Sequence, residues 1–257
     1  MVAAIIAGRE IFCIIHRLDH EKECDKVSTV TDKVILVVGA NGAFGTEFCS
    51  QLAAGGAKIL GTARSAETSS RLSPTLEKGL ILDLADSASI QTLANYLLAD
   101  TGSIDGIVLA SGLVAFGSVG ETPVSVVENL MKVNATGQIA LVQQLLPKLL
   151  ESAAAGKEPF IVSISGVIAE SPMAGLSAYS ASKTALNGFA TAATRELKKI
   201  GVRWLDARPG HTESGLATRA VFGTAPNFGA GKTVPEVVSR IIRAIQEDEK
   251  DLPSSEF

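Results

Sequence analysis

From residue 33 onward, short unbroken apolar runs alternate with stretches in which apolar residues recur every three or four positions. The runs at 34–38, 58–62, 80–82, 106–110, 160–164 and 202–205 are rich in aliphatic residues and too short for helices. Uninterrupted apolarity is what a strand buried on both faces requires. Helical periodicity occupies 46–54, 87–98, 124–131, 137–151, 178–199 and 235–247, and Gly55-Gly56 closes the first of these. Regular strand–helix alternation predicts βαβ units, hence an α/β fold with a parallel sheet and helices on both faces. No internal repeat interrupts it. Residues 31–257 read as one domain and 1–30 as an N-terminal extension.

Composition narrows the picture. Of 257 residues, 46% are hydrophobic and only 5% aromatic, so small aliphatic side chains must do the packing. The net charge is −4 and no Lys/Arg cluster stands out, which argues against a nucleic-acid partner. No apolar run reaches the roughly 18–20 residues of a membrane span. Three scattered cysteines (Cys13, Cys24 and Cys49) make no disulfide framework and point to a reducing compartment, the cytoplasm. In the extension, Gly8, Arg9 and Glu10 split two apolar patches, unlike a signal peptide, and its acidic residues disagree with a mitochondrial presequence. Cys13, His16, His20 and Cys24 would share one stripe of a helix. A straight helix spreads that stripe over about 16 Å, so no metal site is expected.

The candidate chemistry starts at Gly39-Ala40-Asn41-Gly42-Ala43-Phe44-Gly45, between the first strand and the first helix. Glycines there permit a tight turn and close backbone approach to a pyrophosphate, which the helix N-terminus then binds. Gly-Thr-Ala-Arg-Ser at 61–65 ends the second strand with no acid for a ribose 2′-hydroxyl. Arg64 is instead suited to clamp a 2′-phosphate, favouring NADP(H) and leaving NAD(H) open. Further on, Tyr179 and Lys183 stand four residues apart on one helix face. An ammonium beside a phenol favours the phenolate and lowers the Tyr pKa from about 10, which suits Tyr to acid/base work.

These motifs, with Asp83-Leu84, Val133-Asn134, the Ser-containing strand end 161–166 and Arg208-Pro209-Gly210, occur in the order and approximate spacing of short-chain dehydrogenases/reductases. The resemblance covers residues 31–247 and implies a Rossmann-type doubly wound sheet. It implies that Tyr179 is the proton donor/acceptor, that Lys183 lowers its pKa and holds the nicotinamide ribose, and that Asn134 anchors a proton relay. It further implies that Gly39, Asn41, Gly42, Phe44 and Gly45 cradle the cofactor, with Asp83 and Leu84 near the adenine. Ala110 and Gly112 would line the cofactor site, and Pro209, Gly210 and Thr212 would run along the nicotinamide.

The sequence departs from that family's pattern in four places. The turn is Gly-x-x-Gly-x-x-Gly, with Ala43 at the usual middle glycine. Leu109-Ala110-Ser111-Gly112 replaces the usual Asn-Asn-Ala-Gly. Gly166 falls where the catalytic serine belongs, and Ser165 precedes it; re-aimed by a bulge, Ser165 is expected to orient the substrate carbonyl. After residue 247 only a short tail remains where a last strand is usual, which favours a homodimer over a tetramer. The function implied is NADP(H)-dependent interconversion of a small-molecule carbonyl and an alcohol. The alternative is a non-catalytic NADP(H)-binding sensor, in which the displaced serine marks lost chemistry. An epimerase or dehydratase is a third reading, opposed by the lack of a C-terminal substrate domain. Residues 213–234 would set substrate choice, with His211 either touching substrate or capping its loop.

Overall fold

A computed structural model describes residues 29–100 and 102–257; residues 1–28 of the N-terminal extension, with Cys13, His16, His20 and Cys24, lie outside the described residues. The elements run β1 (Val34–Val38), α1 (Ala43–Ala54), β2 (Lys58–Ala63), α2 (Ala66–Ser69), β3 (Lys78–Ile81), α3 (Ser87–Asp100) and β4 (Gly106–Leu109). Then follow α4 (Val124–Met131), a π-turn (Lys132–Thr136), α5 (Gly137–Ala154), β5 (Phe160–Ile164), α6 (Ser177–Leu197), β6 (Arg203–Ala207) and α7 (Val234–Gln246). All six strands are parallel, in the order β3-β2-β1-β4-β5-β6. The order reverses at β1, between β2 and β4, which makes the carboxyl ends of β1 and β4 the expected crevice.

Strand alternation distributes the aliphatic runs between two cores. Ile35 and Val37, with Ile59, Val108, Val162 and Leu205, face one layer that includes Phe48 and Leu52 of α1 and Val237, Val238 and Ile241 of α7. Leu36 and Val38, with Leu60, Ile107, Leu109 and Ile161, face Leu93 and Leu97 of α3, Leu141 and Leu145 of α5 and Ala190 of α6. The sheet is therefore covered on both sides, as its continuous apolarity predicts. Helix α7 shows why its boundaries were readable. Thr233 and Glu236 form a capping box, Pro235 sits in the first turn, and Val234, Val237, Val238, Ile241, Ile242 and Ile245 make one buried stripe.

Among the boundaries that differ from the sequence pattern, three bear on the site. Helix α1 begins at Ala43, inside the glycine turn, because that turn is the helix's own first turn. Strand β6 continues past Leu205 through Asp206 and Ala207, and both are buried. The tail also meets the sheet: Leu252 forms a single parallel bridge with Ala207, and the Arg208 N–H donates to the Leu252 carbonyl at 3.0 Å. Among the described residues no helix is long and apolar enough to cross a membrane.

Candidate active site

The glycine turn leaves β1 at its carboxyl end. Gly39 has φ +78°, and its amide donates to the Thr62 hydroxyl at 3.0 Å, which ties the turn to β2. A Cβ on Gly45 would lie 2.0 Å from the Gly39 carbonyl oxygen, so α1 packs directly onto the turn. The N-cap Gly42 offers no side-chain cap to the first-turn N–H groups. Close backbone approach and unclaimed N–H groups are what a pyrophosphate needs, so these residues fit a dinucleotide. Despite the departure from the commoner glycine spacing, the turn closes on itself through the Gly42 N–H to the Gly39 carbonyl at 3.0 Å and leaves the helix start uncapped.

Asn41 reaches from this turn to α2, its Nδ2 donating to the Thr68 carbonyl at 3.3 Å. Ser65 and Thr68 form the capping box of α2. Arg64, between β2 and that cap, is exposed, and no described hydrogen bond or ion pair engages its guanidinium. On the far side of the crevice, the Asp83 carboxylate accepts from the Ala85 N–H at 2.9 Å, while Leu84 is buried in the core. The Ala110 amide continues the β1–β4 ladder by donating to Val38, and Gly112 follows two residues on. The Gly112 α-carbon lies close to both Asn134 and Lys183: a Cβ there would be 3.5 Å from Asn134 Oδ1 and from Lys183 Nζ.

Asn134 is fully buried in the π-turn between α4 and α5. Its amide accepts from the Leu113 N–H at 2.8 Å and donates to the Leu113 carbonyl at 2.8 Å, holding the chain after β4 as a ladder partner would. Its Nδ2 also donates to Ser182 Oγ at 3.0 Å, and that hydroxyl donates to the Tyr179 carbonyl at 2.8 Å. Asn134 thus splices the β4 loop to the helix that carries Tyr179. Lys183, one turn along α6, is buried and donates to the Ile164 carbonyl at 2.7 Å. Burial pushes the Tyr179 phenol up to about 12 and the Lys183 ammonium down to about 8, the latter opposed by the Asp206 carboxylate. The Tyr179 shift runs opposite to the lowering expected from Lys183, because burial alone sets it.

The expected role of Ser165 does not hold. The bulge is present: the N–H groups of Ser165 and Gly166 both donate to the Ala207 carbonyl, at 3.1 and 3.2 Å. Yet Ser165 is fully buried, and its hydroxyl donates to Asp206 Oδ2 at 2.5 Å, where no substrate can meet it. The bulge turns Gly166 instead, to φ 75° and ψ 166°. That region of backbone space is essentially glycine's alone, so the position is not a serine site with its side chain trimmed.

Pro209 is buried, and its carbonyl accepts from Val167 at 2.9 Å, bracing the turn after Gly166. Gly210 and Thr212 follow, the Thr212 hydroxyl donating to the Gly210 carbonyl at 3.0 Å. Beyond them the chain folds back over Tyr179. Val221 donates to the Val114 carbonyl and Phe116 to the Phe222 carbonyl, both at 2.9 Å. Val114, Phe116, Ile168, Leu176 and Phe228 form a small apolar cluster with Tyr179 at its margin. The His211 ring sits 5.2 Å from that of Phe228, and its Nε2 lies 3.4 Å from Glu213. A separate hollow of about 210 Å³, lined by Glu158, Lys198, Arg203 and Lys250, opens at the amino end of β6, away from these groups.

The model of the short chain dehydrogenase family matches residues 33–221, and the chain belongs to that family. It is an NAD(P)-dependent oxidoreductase on a Rossmann-like sheet. Among its relatives, "Dehydrogenase/reductase SDR family protein 7-like" of Anopheles gambiae is 30% identical over 249 residues, spanning 90% of this chain and 77% of that one. "Dehydrogenase/reductase SDR family member 7B" of Xenopus tropicalis is 29% identical over 240 residues, spanning 86% and 76%. The crystal structure of a short-chain dehydrogenase from Streptomyces avermitilis superposes with a TM-score of 0.76 at 26% identity, covering 87% of this chain and 88% of that one.

Proposed function

We propose that the chain is an NADP(H)-dependent reductase of small, moderately apolar ketones or aldehydes, in which Tyr179 supplies the proton. The observation that carries this reading is that Lys183 and Asn134 meet beside Gly112 at the carboxyl end of the sheet, and that Asn134 is tied through Ser182 to the turn of α6 that bears Tyr179. Bound at the glycine turn, the nicotinamide cofactor supplies the hydride. Tyr179, protonated throughout the neutral range, gives its proton to the substrate oxygen as that oxygen becomes an alkoxide. Lys183 stabilises the phenolate left behind while it is cationic, below about pH 8. The exposed guanidinium of Arg64, engaged by no partner among the described residues, supports the preference for a 2′-phosphate, and the Val114, Phe116 and Phe228 cluster supports an apolar substrate.

Purified protein mixed with NADPH and a panel of ketones, aldehydes and quinones should oxidise NADPH, read at its absorbance band, and Tyr179→Phe should stop it. The pH profile adds a second check. Activity should be level through neutrality and fall as Lys183 loses its proton near pH 8, not near the Tyr179 value of about 12. Tight NADPH binding with no turnover on any carbonyl would favour a sensor instead.

A further inference from the structure

A single arginine gathers three segments of the chain at the carboxyl end of the sheet. Arg208 directly follows β6 and precedes Pro209, and it is buried. Its Nε donates to Glu170 Oε1 at 2.5 Å and its Nη2 to Asp251 Oδ1 at 2.6 Å. Its Nη1 donates to the Asp206 carbonyl at 3.2 Å and stands 3.6 Å from Asp206 Oδ2. A planar fork of fixed donors can meet all of these partners at once, which the compact ammonium of a lysine cannot.

These contacts close a circuit. The Val167 N–H donates to the Pro209 carbonyl at 2.9 Å, and Glu170 follows the short turn Val167–Ala169. The path from Arg208 through Pro209, across to Val167, along to Glu170 and back to Arg208 fixes the exit of β6 against the exit of β5. The tail then grips that circuit from outside. Asp251 holds the guanidinium, the buried Leu252 accepts the Arg208 N–H on its carbonyl at 3.0 Å, and Ser254 Oγ donates to Glu170 Oε2 at 2.5 Å. Arg240 of α7 secures the tail on both sides of these residues. It donates to the two carboxylate oxygens of Glu249, at 2.7 and 2.9 Å, and to the Glu256 carbonyl at 2.9 Å.

The exit held in this way is a wall of the crevice. The Ile164 carbonyl, which accepts from Lys183, lies two residues before Gly166, and a Cβ on Gly166 would meet the Pro209 carbonyl at 3.6 Å. A ligand of an open parallel sheet lies across the carboxyl ends of its strands. With the pyrophosphate at the glycine turn after β1 and Arg64 at the end of β2, the hydride-bearing half of the dinucleotide extends towards β5 and β6, where Lys183 stands.

We infer that the tail, residues 251–254 acting through Arg208, is a clasp that positions the Pro209–Gly210 wall against the nicotinamide half of the cofactor. Arg208 is a positioning residue. Its guanidinium is taken by Glu170, Asp206 and Asp251, so it acts through Pro209 and not on the cofactor itself.

This role rests on the reductase reading for the direction of the cofactor, but binding alone reads it. Calorimetric titration would compare NADPH with 2′,5′-ADP, which keeps the adenosine and the 2′-phosphate and lacks the nicotinamide. Arg208→Lys keeps the charge and loses the fork, so it should weaken NADPH binding by about tenfold or more and leave 2′,5′-ADP binding in place. Asp251→Asn alters a side chain that is 65% exposed and keeps the test open should Arg208→Lys fail to fold. It should weaken NADPH binding about threefold, again without change for 2′,5′-ADP. Unchanged affinity for both ligands in the folded variants would make the cluster a staple of the fold and overturn the inference. An equal loss for both would overturn it too, because the whole site would then have loosened. NADH and ADP would be titrated in parallel. Binding of NADH alone would sink the NADP preference, while the contrast between NADH and ADP would still decide the clasp. Absence of turnover on every carbonyl would sink the reductase reading and leave the binding contrast decisive for Arg208.

Discussion

Two buried carboxylates stand at opposite ends of the sheet, and their surroundings separate structure from chemistry. Asp105, just before β4, accepts from the Val34 N–H at 2.9 Å, from Ser152 Oγ at 2.7 Å and from Ser103 Oγ at 3.3 Å. Its cation, Lys157 at 3.3 Å, has a side chain 42% exposed. One of its donors is backbone, and the others lie on the loop before β4 and on α5, so Asp105 staples the amino end of the fold. Asp206 has side-chain donors from β5 and α6, its cation is the buried Arg208 at 3.6 Å, and Lys183, on the same helix as its donor Asn187, approaches the crevice at Gly112. The same ingredient closes one end of the sheet and equips the other. What differs is whether the carboxylate's cation is half in water, as Lys157 is, or buried with it, as Arg208 is.

Mutation should split the two ends cleanly. Tyr179→Phe should lower turnover by about 10²–10⁴-fold, the usual span for a lost general acid, with the thermal midpoint unchanged. Asp105→Asn should do the reverse: kcat per folded molecule unchanged, and stability lower by about 2 kcal/mol in urea unfolding, discounted because Lys157 is half in water. Burial alone would raise the Asp105 pKa, but donors from Val34, Ser152 and Ser103 and the Lys157 charge together hold it below the usual value. A depressed folded pKa means the stability is present above the unfolded value of about 3.9 and lost as pH falls through the folded one. The wild type should therefore lose part of its margin over the Asp105→Asn variant below about pH 4. Equal acid sensitivity of the two would show that Asp105 carries no such linkage.

Much of this division could be read from the residues alone. Aliphatic runs located all six strands; Tyr179 and Lys183 were singled out by their four-residue spacing, and Asn134 only by the family resemblance. Asp206 was missed because an acid ends an apolar pattern, so β6 seemed to stop at Leu205. Only the pairing of Ser163 with Asp206 across β5 and β6 shows the acid to be buried with partners. Ser165 failed for the related reason that its neighbour across the sheet was unknown. The π-turn left a gap between two helical patterns, since an i+5 turn has no periodicity of its own. Arg208 carried no role beyond its place before Pro209-Gly210, because its partners, Glu170 and Asp251, are distant in sequence.

Gly166 tests whether the carboxyl end lost a hydroxyl or was rebuilt without one. A Cβ there meets nothing nearer than the Pro209 carbonyl at 3.6 Å, so space is not the obstacle. The backbone is: Gly166→Ser should cost about 1–3 kcal/mol of stability from its positive φ and leave turnover no higher. A serine variant as stable as wild type and faster would mean that the chain had only shed a side chain.

The smallest effect should come from Arg64, at the rim of the crevice and far from the proton. Its guanidinium is exposed, so each hydrogen bond it gives to a phosphate competes with water and is worth about 1.5–3 kcal/mol at most. Arg64→Ala should weaken NADPH binding about tenfold, toward the lower end of that range, and leave NADH binding as it was. Fluorescence titration with both cofactors reads the difference directly. Parallel loss for NADPH and NADH would place Arg64 on the pyrophosphate or in the frame of α2. It would move the origin of any NADP preference away from the end of β2, to the Asn41–Thr68 contact that ties the glycine turn to the same helix.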